Sequence, residues 1–217
     1  MKSVLKTITI LLVVVLFVGC HDITTEGVTR ITKYPVLTLN GDQFLSILQG
    51  STYNDLEGAT AMIGNEDVSE DIRVSGSVDG SKPGVYTISY SITNSDGFSK
   101  NINRYVGIIS ADAAAMDISG SYKRTDGGVF GTVTVVATEY PGLYINNNPG
   151  GIADEDEVVV YMFHPTPEEI YAPPQNTSAG TFECDMGTFN NESPREFSWR
   201  CVNPGYGPAI RVFTEQF

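Results

Sequence analysis

The chain has 217 residues, 41% of them hydrophobic and 18% charged, enough for one large or two ordinary domains and too apolar for a disordered chain. Thirteen Lys and Arg against 26 Asp and Glu give a net charge of −13, which argues against nucleic acid or an anionic lipid surface as partner. Two histidines and three cysteines leave little for a nucleophilic triad or a metal cluster, while 22 Gly and 11 Pro suggest many short strands joined by turns.

Lys2 and Lys6 form a basic start, and Ile8 to Val18 is an apolar run of about 11 residues, about half of what a membrane span needs. Phe17-Val18-Gly19-Cys20 follows and resembles a bacterial lipobox, with Phe17 where Leu is usual. The resemblance implies a lipoprotein signal peptide over 1–19, acyl chains such as palmitate on Cys20, and attachment to the membrane through that lipid. An ordinary signal peptide with a stray Cys is the alternative. Removing 1–19 leaves 11 basic and 26 acidic residues, net −15, so lipid and not charge would hold the protein to a bilayer. Residues 20–33 read as a tether, with His21 part of it. Asp22 and Glu26 are the acidic residues available to resemble the surface-export signal of Bacteroidetes lipoproteins.

Tyr34–Leu39 and Phe44–Leu48 are candidate strands. Val85–Ile92 alternates cleanly, with Tyr86, Ile88, Tyr90 and Ile92 on one face and Thr87, Ser89 and Ser91 on the other. Asn94-Ser95-Asp96-Gly97 supplies a turn, and Asn101–Ile109 a return strand, so the pair reads as a half-buried antiparallel hairpin. The ordered string Gly50–Ala61, Val74–Asp79, Pro83–Tyr90, Asp96-Gly97 and Arg104-Tyr105-Val106 is similar to the bacterial Ig-like surface-protein domain that is also repeated in some pesticidal crystal proteins. That resemblance implies an Ig-like sandwich over 34–110, often a spacer in exported lipoproteins, with no catalytic residues to carry over. Asp55, Asp79 and Asp96 read as turn aspartates that cap backbone N–H groups rather than as a calcium site.

Residues 111–117 read as a short linker or a single helical turn. Beyond it, Gly120–Arg124, Gly131–Thr138, Leu143–Asn146, Val158–His164, Thr181–Gly187, Glu196–Val202 and Ile210–Thr214 are candidate strands. They predict a second antiparallel β domain over 118–217, arranged as a meander, barrel or sandwich, and the chain as all-β. Ile118–Arg124, Gly142–Asn146 and Asn203–Gly207 resemble the β-rich domain that often follows this Ig-like domain in Bacteroidetes surface lipoproteins, encoded beside starch-utilisation-type uptake systems. The resemblance implies lipid-anchored residence at the outer membrane, surface-exposed, beside a transporter complex.

Cys184 shares a strand face with Phe182 and Met186, and Cys201 shares one with Phe197 and Trp199. A turn centred on Glu192-Ser193 sets Cys184 opposite Cys201 and Met186 opposite Trp199, within reach of a disulfide. Two buried free thiols are the alternative.

An enzyme must find its parts here, and none of the usual motifs appears: no nucleophile elbow, paired metal histidines or phosphate loop. His164-Pro165 reads as a turn at a strand end, and Asp154–Glu157 and Glu168-Glu169 as solvated loops rather than a glycosidase pair. We therefore expect no catalytic residues, metal or cofactor. A binding module has more material, because aromatic faces flanked by amides and carboxylates suit sugars. Tyr140, Tyr144, Tyr171 and Tyr206 are the candidate ligand-binding residues, and Trp199 reads as core. The expected function is glycan binding as an accessory of polysaccharide uptake; the alternative is a structural or adhesin-like protein contacting another protein through either domain.

Overall fold

The computed structural model describes residues 31–217 except Leu56, 128–129 and 154–157. The expectations for the leader, Cys20, His21 and the acidic run 154–157 lie outside the described residues.

The N-terminal part is a sandwich of two sheets. One contains β1 (Pro35–Leu39), β3 (Ala59–Ile63) and β4 (Glu66–Asp67), in that order. The other runs β2 (Phe44–Leu48), β7 (Ser99–Ile109), β6 (Gly84–Thr93), β5 (Arg73–Ser75), with β2 parallel to β7. The expected hairpin is present: β6 and β7 pair antiparallel from Gly84 opposite Ile108 to Thr93 opposite Ser99. Ile88, Tyr90 and Ile92 point into the core with Leu37 and Ala61, as the two-residue period requires.

A charged group sits among these apolar residues. Arg104 on β7 is 1% exposed, and its guanidinium reaches five partners. It donates to the carbonyls of Asn40, Asp42 (3.0 Å) and Gly58 (3.4 Å), to the Tyr90 hydroxyl (3.2 Å) and to the Asp55 carboxylate. The Tyr90 hydroxyl in turn donates to Asp55. Burial opposes ionisation of Asp55, but the Tyr90 hydroxyl and the Arg104 charge outweigh it and hold the carboxyl below its ordinary 3.8. Asp55 thus closes a polar network that ties the β1–β2 turn to the β2–β3 connection.

Ser110 caps a short helix, α1 (Ala111–Ala114), by accepting from Ala113 N. The C-terminal part is a closed eight-stranded antiparallel barrel, in the order β10 (Leu143–Asn146), β11 (Val160–Thr166), β12 (Glu169–Thr177), β13 (Gly180–Asn190), β14 (Glu196–Val202), β15 (Ile210–Glu215), β8 (Gly120–Arg124) and β9 (Thr132–Ala137). Closure removes the exposed edges of an open meander. Seven of these strands match the expected ones; β12 does not. Pro173-Pro174 lies inside it, where the register with β13 shifts between Ala172 and Gln175, so the missing N–H groups fall at an irregularity of the ladder.

Aromatic rings fill the barrel. Phe197 stacks on Phe213 at 4.5 Å between centroids and meets Trp199 (5.2 Å) and Tyr122 (5.0 Å) edge-on. Trp199 is fully buried as expected, and its indole N–H donates to the Pro149 carbonyl (2.9 Å).

The boundary near Ser110 does not separate two free bodies. Residues 34–217 form one compact unit. Tyr105 from the sandwich packs with Leu143 and Phe163 from the barrel. A Cβ on Gly107 would lie 2.5 Å from the Phe163 ring, so only glycine lets β7 approach this closely. The Tyr105 hydroxyl donates to the Pro174 carbonyl (2.8 Å), Ser46 Oγ donates to the Pro141 carbonyl, and Ser110 N to the Pro165 carbonyl (2.9 Å).

Candidate functional site

A cleft of about 470 Å³ opens along this junction. The β1–β2 turn supplies Asp42 and Gln43, and β2 opens with Phe44. The β9–β10 turn supplies Thr138, Glu139 and Tyr140, while Tyr161 comes from β11. The turn 138–143 is fixed by its own bonds: Thr138 Oγ1 donates to the Leu143 carbonyl (2.9 Å) and accepts from Tyr140 N (3.1 Å).

The half-buried rings make a short ladder. Phe44 stacks on Tyr161 at 4.6 Å with planes 9° apart, and on Tyr105 at 5.5 Å and 17°. Across the mouth, the Tyr140 hydroxyl donates to Asp42 Oδ2 at 2.6 Å, joining barrel to sandwich. That bond, then burial and the nearby carboxylates, push the Tyr140 phenol up to about 12, so it stays a donor through the neutral range.

Of the four candidate tyrosines, only Tyr140 lines this cleft. Tyr144 is a core residue of the barrel; its hydroxyl donates to the Met116 carbonyl (3.0 Å) and accepts from Ile118 N (3.4 Å). Its strand alternation points it inward, so it offers no face to a ligand. Tyr206 is 9% exposed, edge-on to Phe182 at 4.8 Å with the Arg211 guanidinium over its ring, and plugs the barrel end. Tyr171 is not in a loop but in the overlooked strand β12, half-buried, with its hydroxyl donating to Glu183 Oε1 at 2.9 Å. Burial and Glu183 push that phenol up. The four do not converge on one surface.

Other expectations are corrected too. His164 is inside β11 and fully buried rather than in a turn; its Nδ1 lies 3.0 Å from the Glu169 carbonyl and its ring meets Phe189 edge-on. Burial pulls its pKa below the ordinary 6.5. Cys184 and Cys201 are direct partners across β13 and β14, as expected, but are free thiols with Sγ atoms 3.4 Å apart. Cys201 donates to the Pro149 carbonyl (3.2 Å), which leaves its sulfur to accept from Cys184, and burial pushes the Cys184 thiol up. Met186 does not face Trp199. The register slips between Asp185 and Thr188, and Met186, at φ 52°, is turned out to 61% exposure.

Phe44, Tyr161, Asp42 and Glu139 were missed as site residues. One signal was available: Val160–Pro165 is apolar or aromatic at every position, so both faces of that strand must be covered, one by the barrel interior and one by another domain.

Comparison with known proteins now bears on the sandwich. Residues 37–108 match the family described as bacterial surface protein, Ig-like domain. Solved structures similar to the chain include a lipoprotein from Bacteroides thetaiotaomicron, at 20% identity over 84% of this chain and 100% of that one, TM-score 0.39. Two others come from ZmpB of Clostridium perfringens. One is the M60 catalytic domain with the CBM51-1 and CBM51-2 domains (17% identity, 79% of this chain, 15% of that, TM-score 0.32). The other is CBM51-2 in complex with GlcNAc and INT domains (12%, 83%, 44%, TM-score 0.31). A search of the curated proteins finds no match. The Ig-like domain thus contributes one wall of the cleft, and the barrel contributes the other.

Proposed function

We propose that the protein is a non-catalytic surface lipoprotein, anchored in the outer membrane through Cys20, whose junction cleft binds a glycan for a polysaccharide uptake complex. The match of residues 37–108 to a bacterial surface-protein domain supports the location, and Phe17-Val18-Gly19-Cys20 supports the anchor. The cleft itself carries the binding reading: half-buried Phe44, Tyr140 and Tyr161 beside Asp42, Gln43 and Glu139 offer apolar surface for a sugar face and polar atoms for its edge, at a size fit for a small ligand. Asp42 and Glu139 are read as acceptors for sugar hydroxyls, which makes the cleft a binder.

Affinity electrophoresis through gels containing a panel of polysaccharides tests this. The protein is expected to be retarded by at least one, and Tyr161→Ala, which removes the aromatic wall without touching the Tyr140–Asp42 bond, to weaken that retardation at least tenfold. Absence of retardation by any glycan would favour protein contact instead. For that second reading the Ig-like domain offers Val36 and Met62, cross-strand partners that are 60% and 37% exposed.

A further inference from the structure

The hydrogen-bonding groups of the cleft are unevenly used. Three of its side-chain donors are engaged within the protein: Gln43 Nε2 donates to the Asn103 carbonyl (3.1 Å), Thr138 Oγ1 to the Leu143 carbonyl (2.9 Å), and the Tyr140 hydroxyl to Asp42 Oδ2. The Tyr161 hydroxyl and the second Gln43 N–H are neutral donors left over. Among the described residues, Asp42 Oδ1, Gln43 Oε1 and the Glu139 carboxylate receive no bond, and no Lys, Arg or His lines the cleft. What remains for a ligand is mostly acceptors, carrying two negative charges, with no cationic donor beside them.

Building on the glycan reading, we propose that this cleft selects uncharged sugars, taking adjacent hydroxyls as donors to Asp42 and Glu139, and turns away glycans bearing carboxylate or sulfate. A carboxylate accepts two parallel O–H bonds well, and charge-assisted bonds of this kind are the stronger ones. Tyr140 is a positioning residue: its bond crosses the domain junction and holds Asp42 with Oδ1 left to the ligand. An anionic sugar would bring a third negative charge into the same hollow, where no cationic donor receives it. At about 5 Å in water each like-charge contact costs roughly a fourfold loss of affinity, and two carboxylates more than roughly tenfold.

The test compares each neutral polysaccharide that retards the full chain with its own carboxymethylated derivative, so that the sugar backbone is unchanged. The derivative is expected to bind at least tenfold more weakly at low ionic strength, and 0.5 M salt to narrow the gap. The whole protein repels anions as well, so two double variants with equal loss of charge separate the causes. Asp42→Asn with Glu139→Gln should largely close the gap while weakening neutral binding. Glu70→Gln with Asp71→Asn, on an exposed turn of the sandwich, should leave the gap in place. Equal binding of the derivative, or an equal effect of the two double variants, overturns the selectivity while leaving glycan binding intact. Retardation by neither neutral nor charged polymers overturns the glycan reading itself.

Discussion

The largest fully buried side chain of the Ig-like domain is the Arg104 guanidinium and that of the barrel the Trp199 indole, although the barrel also buries Arg211 against the Tyr206 ring. Arg104 is held by three carbonyls, a phenol and a carboxylate, inside a small apolar core. Trp199 is held by aromatic contacts and one hydrogen bond, inside a large one. The difference follows from what each architecture can bury. A short sandwich with an exposed outer face supplies few apolar side chains, so a polar network links its loops. A closed barrel faces every second residue inward and fills the space with rings. Removal of either anchor should hurt for opposite reasons: one strands uncompensated polar groups, the other leaves a void.

The largest effects come from those anchors. Trp199→Ala is expected to cost about 3–5 kcal/mol by cavity formation. Arg104→Ala should cost about 3–5 kcal/mol by leaving Asp55 and the three carbonyls without their donor. Denaturant unfolding measures both. Asp55→Asn made on top of Arg104→Ala should return part of the loss, while no polar substitution should rescue Trp199→Ala.

Acid should separate the two regions by pH window. His164 in the barrel has its pKa lowered by burial, so its unfolded form takes up protons first; stability is full above its ordinary 6.5 and falls as pH drops through and below that value. Asp55 also has a lowered pKa, so its share is full above its ordinary 3.8 and is lost only below it. Thermal melts between pH 7 and 3 should therefore show an early slope that His164→Leu flattens and a late one that Asp55→Asn flattens. The smallest effect belongs to the junction: Tyr105→Phe removes the bond to the Pro174 carbonyl and should cost about 0.5–1.5 kcal/mol.

Much of the strand framework was legible, because alternation is a local signal. β6 announces itself through Tyr86, Ile88, Tyr90 and Ile92. Counting back from a turn at Glu192-Ser193 pairs Cys184 with Cys201, but the strands close at Asn190 opposite Glu196, and it is the bulge between Asp185 and Thr188 that restores that pairing. Pro173-Pro174 hid β12, since proline argues against a central strand unless the ladder is irregular there, and the irregularity is not visible in residue types. Met186 was misplaced for the same reason: a bulge changes which residues face each other without changing the pattern that predicts a strand. The cleft was the least legible part. Asp42 and Tyr140 are 98 positions apart and meet only because the two domains dock, an event recorded in sequence by doubly covered runs such as Arg104–Ile109 and Val160–Pro165.

The account depends on that docking, since the cleft exists only while the Ig-like domain and the barrel share a wall. Backbone ¹⁵N relaxation of the protein in solution measures it directly. Amides of β6 and β7 and amides of the barrel strands are expected to report one common rotational correlation time, that of a single body of this size. Two distinct, shorter correlation times, one for each domain, would contradict it.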